Sequence, residues 1–169
     1  DTVYTTDSIA GIHNLWEVIE GGKITSDSTL SRIRIHWDTV SIKGIIRLTQ
    51  TNATTGCVAS ITVSIRINPL PKPKIYGDVI VCAESDTVYW TDSITGISNF
   101  WEVLEGGKIV IDSVLPQTRI LWNSSNQGII KLTQKNIETG CTASIMDTIK
   151  INPLPHPKIY GDTIVCAQA

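Results

Sequence analysis

Ser60-Ile61-Thr62-Val63-Ser64-Ile65-Arg66-Ile67 alternates polar and apolar side chains for eight residues, then runs directly into Asn68-Pro69-Leu70-Pro71-Lys72-Pro73. Successive side chains of a β-strand point to opposite faces, so the alternation predicts a strand with one buried and one wet face. Three prolines in five positions cannot join a central ladder and favour stiff polyproline geometry, so the strand ends there and a linker begins. The junction recurs: Asn152-Pro153-Leu154-Pro155-His156-Pro157 follows Ile149-Lys150-Ile151. A chain that repeats an amphipathic strand and a proline stop reads as tandem β units.

Outward from that junction the whole chain is duplicated. Asp1-Thr2-Val3-Tyr4 returns as Asp86-Thr87-Val88-Tyr89, and Trp16-Glu17-Val18 as Trp101-Glu102-Val103, at an offset of 85. One residue is lost after Trp122, so Cys57 matches Cys141 at an offset of 84, and 54 of 84 aligned positions are identical. Within a unit, Arg32 to Trp37 alternates as cleanly as Ser60 to Ile67, and further strands are expected at Thr2–Thr6, Asn14–Ile19, Lys23–Ser26, Gly44–Gln50 and Lys74–Val81. Glu20-Gly21-Gly22 is expected to turn a hairpin on glycine's positive φ, and a second turn falls at Asn52–Gly56. Six or seven short strands in about 85 residues make the pattern of an all-β fold, tandem immunoglobulin-like sandwiches joined by proline-rich linkers. The linker position shifts the frame: residues 71–155 form one complete sandwich, residues 1–70 a sandwich without its first strand, and residues 156–169 the first strand of a following unit.

Composition narrows the functions. Ile, Thr and Val supply 59 of the 169 residues, which favours pleated strands over helices. A net charge of −2 with no cluster of Lys and Arg gives no electrostatic footprint for nucleic acid or an anionic membrane. No apolar run reaches the roughly 18 residues that span a bilayer.

The order Pro71-x-Pro73-x-Ile75-x-Gly77, Val81-Cys82-Ala83, Thr87-Val88-Tyr89, Trp101-x-Val103-x-x-Gly106-Gly107-x-Ile109, Trp122, Thr139-Gly140-Cys141 and Ile151 to Pro155 resembles the PKD-like repeats of Bacteroidota cell-surface proteins. That resemblance implies immunoglobulin-like sandwiches strung in tandem in large secreted adhesins, including those of gliding motility, exported by the type IX system. It brings no catalytic residues, and the glycine-rich aspartate turn of other PKD domains is absent. In this frame Cys82 follows the first strand and Cys141 precedes the last, strands that neighbour each other in such folds, so a Cys82–Cys141 disulfide is expected within the chain. Cys57 and Cys166 would then pair with cysteines of adjacent copies. The alternative joins Cys57 to Cys82 and Cys141 to Cys166 across each proline linker, which the stiff linker disfavours. No Cys-x-x-Cys spacing supports a metal site.

Nine of the ten Asp residues are followed by Ser or Thr and then by Ile, Val or Thr. This Asp-(Ser/Thr)-apolar triplet resembles the O-glycosylation acceptor of exported Bacteroidota proteins. The implied acceptors are Thr2, Ser8, Ser28, Thr39, Thr87, Ser93, Ser113, Thr148 and Thr163. Asp before Ser or Thr is also a good turn residue, and duplication copies motifs. Duplication leaves Thr39, Thr148 and Thr163 unexplained, because their counterparts lack the triplet. The sequons at Asn52 and Asn123 are weaker signals.

No catalytic constellation is visible. His13 and His36 become Ser98 and Leu121 in the second copy, and His156 stands where the first linker has Lys72. A catalytic imidazole would be needed in each working copy. The recurring Glu17/Glu20 and Glu102/Glu105 flank a glycine turn and are expected to face water. Trp16, Trp37, Trp101 and Trp122 sit at apolar strand positions and are expected in the core, whereas Trp90, with Thr5 as its counterpart, is expected at the surface. The function expected is a non-enzymatic structural or adhesive segment of an extracellular filament or surface adhesin. Adjacent copies of itself are the expected partners, no cofactor beyond covalent glycans is needed, and strand complementation offers a head-to-tail joint. The competing expectation is a carbohydrate-binding module of a secreted enzyme, which would carry an exposed aromatic row.

Overall fold

The computed structural model describes the chain apart from residues 39, 40, 162 and 165–169, so acceptor Thr39 and Cys166 lie outside the described residues. Two compact units meet between Leu70 and Pro71. No described helix is long and apolar enough to cross a membrane.

The first unit holds six strands: β1 (Thr2–Thr5), β2 (Ile12–Glu20), β3 (Gly22–Ile24), β4 (Arg32–Trp37), β5 (Lys43–Asn52) and β6 (Val58–Arg66). They form two three-stranded sheets, β1-β4-β3 and β2-β5-β6. The second unit holds β7 (Ile80–Cys82), β8 (Asp86–Trp90), β9 (Ile97–Glu105), β10 (Gly107–Ile111), β11 (Gln117–Trp122), β12 (Gln127–Asn136) and β13 (Thr142–Asn152). Its sheets are β10-β11-β8 and the four-stranded β7-β13-β12-β9. Each core is the shared inner face of two sheets, as the alternation of β4, β11, β5 and β12 requires. Ile33 and Ile35 of β4 meet Trp16, Ile46 and Leu48 of the opposite sheet, and Ile120 and Trp122 of β11 meet Trp101, Ile130, Leu132, Ile149 and Ile151.

Glu20-Gly21-Gly22 does not turn a hairpin. β2 pairs with β5 and β3 with β4, so the glycines carry the chain from one sheet to the other, as Gly106-Gly107 do in the second unit. A side chain at Gly21 or Gly106, both at positive φ (82° and 79°), would run into the carbonyl of Lys43 or Gln127. The sequence shows the glycines but not that close approach. The turn at Asn52 is a hairpin joining β5 to β6. The Asn52 side-chain oxygen accepts from the amides of Thr54 and Thr55, and Gly56 takes φ 71°.

The first strand of the second unit is divided where the sequence suggested one run over Lys74–Val81. Tyr76 bridges Trp90 in one sheet, and β7 then pairs parallel with the end of β13 in the other. Gly77 makes the crossing at φ 144°, where an added Cβ would lie 2.5 Å from the Tyr89 ring. One short segment thereby ties both sheets together.

Each sandwich has two ends of different character. In the second unit the glycine end gathers Cys82, Gly106, Gln127 and Asn152, and the hairpin end gathers Trp90, Pro116 and the Asn136–Cys141 turn. The first strand runs from the hairpin end to the glycine end, where β13 also finishes.

Candidate functional site

The two units build corresponding strands, and among the described residues they differ in one element. The strand made by Tyr76 to Ala83 in the second unit has no counterpart among the described residues of the first.

In the second unit the strand is anchored along its length. Tyr76 and Trp90 exchange backbone hydrogen bonds of 2.8 and 2.9 Å, the Lys150 amide donates to the Val79 carbonyl at 2.9 Å, and the Ala83 amide donates to Asn152 at 2.8 Å. The Tyr89 hydroxyl donates to the Asp78 carbonyl at 2.7 Å, and burial pushes its phenol well above the usual range. Ile75 packs against the core, and Val81 and Ala83 are buried within it. Beneath this cover, Tyr89, Trp122, Ile149 and Ile151 are at most 2% exposed.

In the first unit Tyr4, Trp37, Ile65 and Ile67 occupy the same positions and are only half-buried. The scaffold beneath is unchanged. Tyr4 meets Trp37 edge-on at 6.0 Å and 83°, as Tyr89 meets Trp122 at 6.0 Å and 86°. What differs is cover. Leu48, Gln50, Ala59, Ser60 and Ile61 line an open groove beside β6, whereas the counterparts of its first two residues, Leu132 and Gln134, are 0% and 1% exposed. On β6 Ile61 and Val63 are 62% and 43% exposed, and Ile145, the counterpart of Ile61, is 38% exposed in the second unit.

The disulfide expected within the chain is ruled out by register. Cys82 lies beside Asn152 at the finish of β13, and Cys141 lies just before its first residue, Thr142. Eleven residues of extended chain separate the two levels, on the order of 35 Å, against a Cα separation under about 7 Å for a disulfide. The sequence suggested neighbouring strands, which β7 and β13 are; it did not show that they run parallel and put the cysteines at opposite ends. Cys57 and Cys82 are both exposed. Cys57 immediately precedes β6 at the hairpin turn, where its amide donates to the Thr55 hydroxyl at 3.3 Å.

Among the acceptors implied for glycosylation, Thr2, Ser8, Ser93, Thr148 and Thr163 are exposed, and Ser28, Thr87 and Ser113 are half-buried. Two triplets also have work in the fold. Asp27 accepts from the amide and hydroxyl of Thr29, which lowers its carboxyl below the usual value, and Asp112 accepts from the Val114 amide. The carbonyls of Ser28 and Ser113 take the amides of Trp16 and Trp101. At the sequons, the side-chain oxygens of Asn52 and Asn123 cap their own turns.

Trp16, Trp101 and Trp122 are buried, and Trp37 is half-buried. The indoles of Trp16 and Trp101 donate to the Leu30 and Leu115 carbonyls at 3.0 Å. Trp90 is 48% exposed and stacks on Tyr76 at 6.2 Å and 26°. The recurring glutamates are ion-paired across the sheet: Glu17 with Arg47 and Glu102 with Lys131, each at 2.8 Å, and Glu20 with Lys43 at 3.9 Å. His36 contacts Asp1 at 3.1 Å on the surface. Among the described residues no three His, Cys, Asp or Glu side chains gather to hold a metal ion.

No protein-family model matches the chain, and no curated protein matches it. Similar solved structures are a SusE-like surface-located polysaccharide-binding protein of Bacteroides thetaiotaomicron (14% identity, TM-score 0.47) and N-cadherin EC1-3 of Drosophila (11%, TM-score 0.37). The matches cover 83% and 86% of this chain, and 29% and 57% of those chains. This chain therefore spans less than a third of the first and somewhat over half of the second.

Proposed function

We propose that the chain is a non-catalytic structural or adhesive segment of an extracellular array of sandwiches, each unit following the last end to end. The observation that carries this reading is the mismatch between sequence repeat and folding unit. The second unit is closed by a strand at its start, and the same strand sequence follows its end at residues 157–167, ready for a further unit.

The cysteines fit such an array better than they fit an isolated unit. Each complete sandwich would carry one at the glycine end and one at the hairpin end, too far apart to pair within the unit, so on this reading each pairs with a cysteine of another unit. Cys57 and Cys166 thus keep adjacent copies as partners, and Cys82 and Cys141 take the same role. Glycans on the exposed acceptors Thr2, Ser8, Ser93, Thr148 and Thr163 would hold water and blunt the exposed strand edges.

Electron microscopy of native material, with glycopeptide mass mapping, tests this. Extended fibres of regular axial repeat with sugar on those side chains are expected. Compact particles with bare hydroxyls overturn it.

One observation favours a carbohydrate-binding module as the second reading: the exposed stack of Tyr76 and Trp90, beside which Asp92 accepts from the Tyr76 hydroxyl at 3.4 Å. Saturable glycan binding that Trp90→Ala abolishes would establish it.

A further inference from the structure

We infer that the notch beside β8, opened where the first strand of the second unit leaves it, is a binding groove for an uncharged oligosaccharide that stacks on Trp90. The inference rests on the carbohydrate-binding reading above and adds the groove, the class of sugar and the contacts.

Tyr76 and Trp90 exchange both backbone hydrogen bonds, so an unbroken ladder would continue with Asp78 opposite Val88. The ladder stops instead. At Gly77 the chain turns toward the other sheet, and the Asp78 carbonyl accepts from the Tyr89 hydroxyl at 2.7 Å. On its other side β8 is bracketed by bonds from the Trp122 amide to Ser85 and from the Thr91 amide to Pro116. That parity turns the amide and carbonyl of Val88, and those of Asp86, away from β11 and into the notch. Gly77, Asp78, Asp86, Thr87, Val88 and Trp90 line the resulting groove of about 440 Å³, within the ~300–1,000 Å³ of ligand sites and more polar than apolar. From Asp86 to Trp90 its wall runs about 13 Å, long enough for a short oligosaccharide.

Trp90 is the residue that calls for a ligand. Thr5 stands in its place in β1, whereas Asp86, Thr87 and Val88 repeat Asp1, Thr2 and Val3. An indole that the twin strand does without is not needed by the sandwich, yet it is 48% exposed and braced by the stacked Tyr76 ring at 6.2 Å. Such a ring takes the apolar C–H face of a sugar. The rest of the groove suits hydroxyls, which both donate and accept. Asp78 and Asp86 accept, the Val88 amide donates, and Arg119 fixes the Asp86 carboxylate through bonds of 2.8 and 3.2 Å. An acidic glycan would meet two carboxylates whose neighbouring guanidinium is already engaged. A lysine side chain would leave the Val88 amide facing a cation. An added peptide strand would have three residues of edge, Asp86 to Val88, before the Tyr76 bridge closes it.

The experiment is an NMR titration of the ¹⁵N-labelled full chain with cellotriose, chitotriose, maltotriose and mannotriose, each alone, and separately with a heparin tetrasaccharide and with trilysine. It is repeated on Trp90→Thr, the residue that β1 carries at this position, and on Asp78→Ala, whose side chain is exposed. Unshifted indole signals of the buried Trp101 and Trp122 report that each variant is folded. At least one neutral trisaccharide is expected to bind saturably and to shift the amides of Asp78 and Val88 and the Trp90 indole N–H. Both substitutions should weaken that binding at least about tenfold. Neutral sugars that bind equally to Trp90→Thr, or that shift Thr91 and Asp92 and leave Val88 unmoved, overturn the groove. Heparin binding that Trp90→Thr removes, with no neutral sugar bound, overturns the uncharged ligand and leaves a carbohydrate-binding module standing. Binding of no saccharide, with or without binding of trilysine, overturns both.

Discussion

Replacing Ile151 and Ile67 by alanine, one at a time, measures what the first strand contributes to a unit. The two residues are equivalent in the repeat, and each follows or ends the last strand of its sandwich. Ile151 is 2% exposed beneath Val81, whereas Ile67 has no such cover and is half-buried. Alanine removes three methyl or methylene groups, ~2.4 kcal/mol of transfer free energy at about 0.8 kcal/mol each, and the cavity left in a closed core brings the cost to about 2–5 kcal/mol. At Ile67 much of that surface already touches water and the edge can relax, so the loss should be about 1 kcal/mol. For a sandwich of this size each kcal/mol moves the midpoint by about 4–8 °C. Calorimetry of dilute chain, with hydrogen exchange assigning each transition to its unit, should show a fall of about 10 °C or more for Ile151→Ala and less than about 8 °C for Ile67→Ala. Equal losses would refute the claim that Ile67 is less covered than Ile151.

Three further outcomes follow from the same geometry. An added Cβ at Gly128 would collide with the Trp122 ring, which is 1% exposed and has no room to move, so Gly128→Ala should cost about 1–3 kcal/mol. Gly44→Ala meets Trp37, which is half-buried and can swing outward, and should cost less in the same thermal melt. The raised Tyr89 phenol keeps its proton in the folded state, so its contribution to stability is complete below about pH 10 and is lost as the pH rises beyond that, where the unfolded tyrosine ionises; urea midpoints taken across that range should fall, and Tyr89→Phe should flatten the decline. Peptide mapping without reduction should find no Cys82–Cys141 link within one chain, and a link between those two peptides from a monomer would contradict the parallel pairing of β7 with β13.

The strands were legible because burial on one face imposes a period of two, which Arg32 to Trp37 shows in its burial; Ser60 to Ile67 carries the same period and forms a strand, but its side chains from Ser60 to Ser64 are exposed on both faces, so its expected buried face is not formed there. The duplication and the proline stops marked the two units, and the boundary at Leu70–Pro71 falls within the first of those stops. The tryptophans were visible as apolar strand positions. Their unequal cover was not, since Trp37 and Trp122 have nearly the same local sequence and differ only in whether a distant strand lies over them.

Periodicity is a local property, so the sequence by itself determined that this chain is all-β, built of short amphipathic strands. Pairing is not local. Only the tertiary structure decided that the glycine turns cross between sheets, that β7 runs parallel to β13 and so carries Cys82 away from Cys141, and that Trp122 is buried where Trp37 is half-buried. Each depends on which edge a strand meets and in which direction, and that is fixed by contacts between residues far apart along the chain.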